Sequence, residues 1–146
     1  MLALIKPERD ELDYRAKLLK RPHNFDFGEE PQTFSEEDWD SFTKTWLSDD
    51  AKHIYRYGYC EECGFFIGAA SLCSTSSDAY QLRILIDYNM RKCGFGASLL
   101  DQMLELAKKN GASRVYLTLT PENPYLPFFT KRGFEHEAAD TYCRIL

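Results

Sequence analysis

Apolar residues recur along this chain with two different periods, and the period changes near residue 50. Residues 2–5, LALI, form a short continuous apolar run, as a first strand would. Over 7–20 the spacing is helical. Leu12, Ala16 and Leu19 share a face among charged neighbours, and Pro22 helps to stop the run. Turn residues and aromatics follow, with Phe25, Phe27, Gly28 and Pro31. Ser35-Glu-Glu-Asp38 then reads as a capping box with Asp in the Glu/Gln place. Trp39, Phe42 and Trp46 recur at helical spacing, which predicts a second helix over 35–47.

After Asp50 the pattern is that of strands. HIYRYGYC and CGFFIGAASLC are β-rich and joined by a Glu-Glu turn. YQLRILID (80–87) is a third such run, with Leu82, Ile84 and Ile86 on one face and Gln81, Arg83 and Asp87 on the other. RKCGFG (91–96) leads into a helix over 97–109. Its buried stripe is Leu99, Leu100, Met103, Leu104 and Ala107, and Glu105 and Lys109 form an i,i+4 pair. Asn110-Gly111 stops that helix. RVYLTLT (114–120) alternates as a strand. Asn123-Pro124 reads as an N-cap with proline at the first position of a short helix reaching Arg132, its start delayed by Pro127. Gly133 turns the chain into GFEHEA and TYCRIL, a terminal hairpin. Strand, helix, helix, three strands, helix, strand, short helix and two strands make one mixed α/β domain over 1–146.

Charge and composition narrow the function. A net charge of −5 argues against nucleic acid as the main partner. No apolar run approaches a membrane span, so no membrane partner is expected. MLALIKPERDEL turns charged after five residues and does not read as a signal peptide, so a cytoplasmic place with reduced thiols is expected. Five cysteines, an odd count, do not suggest a disulfide framework. Cys60-Glu-Glu-Cys63 is open to two readings, half a metal site or redox pair, and a plain hairpin turn. No second CxxC or HxxxH stands at zinc spacing, which favours the turn and no metal.

RKCGFG follows a strand and opens a helix. A helix start presents unpaired N–H groups and partial positive charge, a ready site for an anion. Gly94 and Gly96 let backbone approach a ligand, and Arg91 and Lys92 bring positive charge. On this stretch alone, a tight strand-to-helix turn is the competing reading. A P-loop is excluded, because Gly96 is followed by Ala97-Ser98 and not by Lys-Ser/Thr. A dinucleotide fingerprint fails too, because its third glycine position is Leu99.

With these residues in place the sequence resembles the GCN5-related N-acetyltransferases, the GNAT superfamily. Arg91-Lys-Cys-Gly94-Phe-Gly96 fits its R/Q-x-x-G-x-G/A signature, and Lys131-Arg-Gly133-Phe134 fits its later K-x-G-F corner. The match in motif order and spacing covers about 80–138. The resemblance implies a mostly antiparallel sheet splayed between strands 4 and 5 and flanked by helices, with acetyl-CoA as cosubstrate. It implies that the loop from Arg91 through Lys92, Cys93, Gly94, Phe95 and Gly96 to Ala97 holds the pyrophosphate. Pantetheine would lie along Ile84, Leu85 and Ile86, where a bulge splays the strand, with Asn123 and Phe129 nearby. Relatives are often dimers, so a homodimer is one form the resemblance allows.

Two positions depart from the family pattern. The family's general-acid tyrosine position is Phe129, which leaves Tyr125, one helical turn earlier, as the candidate catalytic stand-in. The family's asparagine position is Glu122, with Asn123 beside it. The implied reaction is direct acetyl transfer to a primary amine of a small molecule or peptide in a ternary complex. An acyl-CoA-binding module with little or no activity is the alternative. No glutamate stands on YQLRILID to act as base; Asp87 reads as a strand-end residue, and Glu61 and Glu62 as solvated turn acids. In this family the acceptor site uses the first two helices, their loop and the last hairpin. Asp26, Glu29, Glu30, Glu36, Glu37, Asp38 and Asp40 lie there without a Lys or Arg between Asn24 and Asp40. Glu36, Glu37 and Asp38 suit a helix start. Asp26, Glu29 and Glu30 suit either a cationic acceptor or a solvated loop, and Phe25, Phe27, Phe34 and Trp39 suit either pocket or core.

Overall fold

In a computed structural model of the chain, residues 2–21, 35–91 and 93–146 are described. Seven strands form one sheet in the order β1-β2-β3-β4-β5-β7-β6. They are β1 (Leu2–Ile5), β2 (His53–Cys60), β3 (Phe65–Ser76), β4 (Ala79–Ile86), β5 (Arg114–Thr118), β6 (Glu135–Ala138) and β7 (Thr141–Ile145). Every neighbouring pair is antiparallel except β4–β5. The helices are α1 (Leu12–Lys20), α2 (Glu36–Trp46), α3 (Phe95–Lys109) and α4 (Leu126–Thr130). The expected element order is observed, with short 3-10 turns added at Arg9–Glu11 and Tyr88–Met90.

Side-chain alternation sorts the strands onto two layers. Leu82, Ile84 and Ile86 of β4 face α3 and pack with Leu99, Leu100 and Met103. Leu85 faces the other way, into a cluster with Tyr55, Tyr57, Leu18 of α1 and Phe42 of α2. The α3 stripe is buried as its periodicity predicts. On α1 the buried residues are Leu12 and Leu18, while Ala16 and Leu19 are only partly covered. The α2 capping box forms. Asp38 N–H donates to Ser35 Oγ at 3.3 Å, and Ser35 N–H donates to Asp38 Oδ2 at 2.8 Å. Those bonds from Ser35 hold the Asp38 carboxyl below the usual carboxylate range.

Three boundaries move. The α3 helix begins at Phe95, two residues before the expected start, so Gly96 lies inside its first turn. Asn123 is not the N-cap of α4; Tyr125 is. Asn123 instead makes an Asx turn, its Oδ1 accepting from Tyr125 N–H at 2.8 Å. Pro127 sits in the first turn of α4, where its missing N–H breaks no helical bond, and α4 ends at Thr130.

Candidate functional site

Parallel pairing between β4 and β5 covers only Ala79, Gln81 and the residue between them, against Arg114 to Tyr116. Beyond Gln81 the two strands part, and β4 runs on through 82–86 without a partner on that edge among the described residues. The ladder with β3 continues in register from Gly68↔Ile86 to Ser74↔Tyr80, and its shift lies at Ser74/Ser76. The splay therefore occurs without the expected bulge at 84–86.

The open edge can be resolved to individual groups. Asp87 N–H donates to Ile67 O at 2.9 Å, so Asp87 turns its backbone to β3. A Cβ on Gly68 would stand 2.4 Å from Leu85 O, so Leu85 also points to β3. Backbone groups alternate along an extended strand, which directs those of Ile84 and Ile86 into the gap. Of the three strand residues expected to bond pantetheine, Leu85 is turned away. The 2.4 Å approach explains the glycine at position 68, since any side chain there would collide with backbone.

Arg91 spans the mouth of the gap. Its Nε donates to Ile86 O at 3.1 Å and its Nη1 to Tyr125 Oη at 2.8 Å, and its guanidinium lies 5.6 Å from the Tyr88 ring and 5.2 Å from that of Tyr125. Arg91 thus ties the end of β4 to the start of α4. Gly94 caps α3 with φ +83, a conformation that side-chain-bearing residues adopt at a cost. The N–H groups of Gly94, Phe95, Gly96 and Ala97 head the helix without intrahelical acceptors. Nothing stands within 4 Å of a Cβ on Gly94, whereas a Cβ on Gly96 would stand 3.5 Å from Phe128 Cζ. Cys93 is exposed, and Lys92 lies outside the described residues.

The remaining candidates separate. Phe129 is buried at 7% exposure against Phe128 and Phe134 and belongs to the core. Asn123, at 8% exposure, spends its Oδ1 on the turn. Tyr125 is partly buried with its hydroxyl on Arg91. Asp87 is more enclosed than a strand-end acid need be, at 5% exposure. Its Oδ2 accepts from Arg21 Nη1 at 2.5 Å and its Oδ1 from Asn89 N–H at 3.4 Å. This ion pair ties Arg21, which caps the end of α1, to the end of β4. The loop holding Asp26, Glu29 and Glu30, with Phe25, Phe27 and Phe34, lies outside the described residues. Trp39 is partly buried on α2, with Arg9 5.9 Å from its ring. Sequence reasoning missed the tie through Arg21, which depends on contact across 66 positions.

The profile of the Acetyltransferase (GNAT) family matches residues 16–134. The chain belongs to this family. Solved structures of similar fold include a spermidine N-acetyltransferase chimera from Vibrio cholerae and hSSAT. It is 18% identical at TM-score 0.84, covering 99% of this chain and 95% of that one. A spermidine N-acetyltransferase from Vibrio cholerae in complex with CoA and spermine is 18% identical at TM-score 0.80, covering 97% and 91%. PaiA N-acetyltransferase from Thermoplasma acidophilum in complex with coenzyme A is 15% identical at TM-score 0.73, covering 100% and 99%. At these identities the likeness establishes the fold. No curated protein gave a significant match. This GNAT chain thus carries the family's splayed sheet, with the glycine loop at the head of α3.

Proposed function

We propose that this GNAT protein is an acetyl-CoA-dependent N-acetyltransferase that transfers the acetyl group directly to a primary amine of a cationic small molecule or peptide. The observation that carries the reading is the β4 edge left unpaired by β5 beyond Gln81, which leads past Ile84 and Ile86 to the amides at the head of α3. A pantetheine arm has amide groups to pair with that edge, and a pyrophosphate has the charge to suit those N–H groups. The amides of Gly94, Phe95, Gly96 and Ala97 hold the phosphates, with Arg91, Lys92 and Cys93 forming the approach. Arg91 Nη1 donates to Tyr125 Oη, which holds the phenol at the mouth of the gap beside β4.

Transfer forms a bond from the amine nitrogen to the thioester carbon and breaks the carbon–sulfur bond. The departing thiolate takes its proton from Tyr125 or from water. A thiol pKa of about 8.5 makes that departure easy even without an acid. A lysine-like amine, with pKa of about 10.4, is neutral at pH 7 in only about one molecule in a few thousand, a penalty of roughly 4–5 kcal/mol. Deprotonation is therefore the step that most needs help. Asp87 is unsuited to it, being enclosed and paired with Arg21. The acids Asp26, Glu29 and Glu30 support a cationic acceptor, as does the spermine bound to the Vibrio cholerae relative.

A second reading has one observation in its favour: Phe129 fills the family's acid position and is sealed in the core. An acyl-CoA-binding module without turnover would need no acid. Release of free CoA thiol, followed with spermine, spermidine, neutral amines and acidic peptides, separates the two. Turnover fastest with the polyamines is expected. Acetyl-CoA binding with no acceptor consumed would overturn the enzyme reading and favour the module.

A further inference from the structure

The turn between β2 and β3 carries chemistry that acetyl transfer does not use. Cys60 ends β2, and Cys63 stands three residues on in the turn that leads to β3. Gly64 N–H donates to Cys60 O at 2.8 Å and closes the turn, while Cys63 N–H donates to Cys60 Sγ at 3.1 Å. The neighbouring Cys60 side chain is the main reason the Cys63 thiol is held above the ordinary thiol range. Residues three apart in a tight turn have Cα atoms within about 7 Å, and a disulfide spans about 4.4–6.8 Å. The closed turn, with Cys60 Sγ already against the backbone of Cys63, therefore suits bond formation without refolding. No atom lies within 4 Å of a Cβ on Gly64, which leaves the turn space to adjust.

The two thiols differ as an entry and a resolving sulfur must. Cys63 is exposed to a reagent; Cys60 is buried at the α3-side core. Cys60 Sγ donates to Glu62 Oε2 at 3.7 Å, so a carboxylate lies against the buried thiol. Two sulfurs are half a zinc set, and among the described residues no third ligand completes one. The turn overhangs the end of the sheet where Gly58, Gly68 and Ile86 pair across β2, β3 and β4, and this is the end that carries the glycine loop with Cys93.

We propose that Cys60 and Cys63 are a reversible dithiol–disulfide pair, a modification site for low-molecular-weight disulfides such as oxidised glutathione. The Cys63 thiolate attacks one glutathione sulfur, breaks the sulfur–sulfur bond and expels one glutathione thiolate. Cys60 gives its proton to Glu62 and displaces the second glutathione from Cys63. Two protein thiols are oxidised to one disulfide, one glutathione disulfide is reduced to two thiols, and the protein's two protons end on the released thiolates. This chemistry does not depend on the acetyl-CoA reading.

The reduced full-length chain, Cys63→Ser and Cys93→Ser are each incubated with oxidised glutathione, alkylated, weighed intact and peptide-mapped. The expected wild-type product has lost the mass of two hydrogens, keeps Cys73, Cys93 and Cys143 alkylatable, and is restored by dithiothreitol. Cys93→Ser behaves as wild type, and Cys63→Ser forms no such product while keeping the native circular dichroism. Five alkylatable thiols, a lasting glutathione adduct on Cys63, or a disulfide abolished by Cys93→Ser would overturn the proposal.

Discussion

On the α3 side of the sheet, Leu99, Leu100 and Met103 meet Ile67, Leu72 and Leu82 in a mainly aliphatic layer, with Phe129 and Phe134 towards α4. On the α1–α2 side the layer is aromatic and partly polar. Tyr14 packs edge-on to Tyr57 at 5.0 Å, Phe42 to Tyr55 at 4.9 Å, and the Arg15 guanidinium lies 3.9 Å over Phe42. Tyr57 Oη donates to Glu11 O at 2.6 Å and accepts from Arg15 N–H at 3.1 Å, whereas Tyr14 Oη is buried without a partner among the described residues. The aliphatic layer places α3 and its glycine loop against β4 by close packing. The aromatic layer carries titratable groups, with the Arg21–Asp87 tie beside it.

The largest expected effect comes from alkali. Tyr14, Tyr55 and Tyr57 have phenols pushed up chiefly by burial; Asp87 adds to the shift of Tyr14 and Tyr57 to that of Tyr55. Their pKa values in the unfolded chain are about 10. The unfolded state therefore loses protons first, and stability that is complete below about pH 10 falls as pH rises towards the folded values. The chain has nine tyrosines, and the phenolate absorbance of these three should appear only together with loss of far-ultraviolet circular dichroism. Absorbance of all nine phenolates with the dichroism intact would show that the aromatic face is not closed. Next in size, Leu100→Ala on the aliphatic face should cost about 2–5 kcal/mol by urea unfolding, since Leu100 is fully buried. A loss below about 1 kcal/mol would mean that α3 is loosely seated. Smallest is Tyr14→Phe, which removes a buried oxygen that has no partner. Stability should stay level or rise by up to about 1–2 kcal/mol, and a clear loss would reveal a hydrogen bond that this account lacks.

Side-chain periodicity made much of this legible. The α3 stripe could be read because a helix buries one face, and the α2 cap because Ser35 and Asp38 stand three apart. The free edge of β4 could not be read in the same way. A period of two tells which side chains share a face, but backbone direction is known only once β3 is paired, and that pairing turns Leu85 away from the gap. Asn123 misled because asparagine caps an Asx turn as readily as a helix. The start of α3 slipped because Gly94 caps through its left-handed backbone and has no capping side chain to announce it. Phe129 was visible as a departure from the family pattern, but its burial appeared only with Phe134 packed against it.

The measurement that tests the central claim most directly is calorimetric titration of acetyl-CoA into wild type and Gly94→Trp, with folding of both checked by circular dichroism. A side chain at Gly94, the N-cap of α3, is strained by φ +83 and enters open space at the head of the helix. The account predicts saturable binding by wild type and its loss in the folded variant. Equal binding by both, or none by a folded wild type, would mean that the glycines only make a turn and that the head of α3 is not the phosphate cradle.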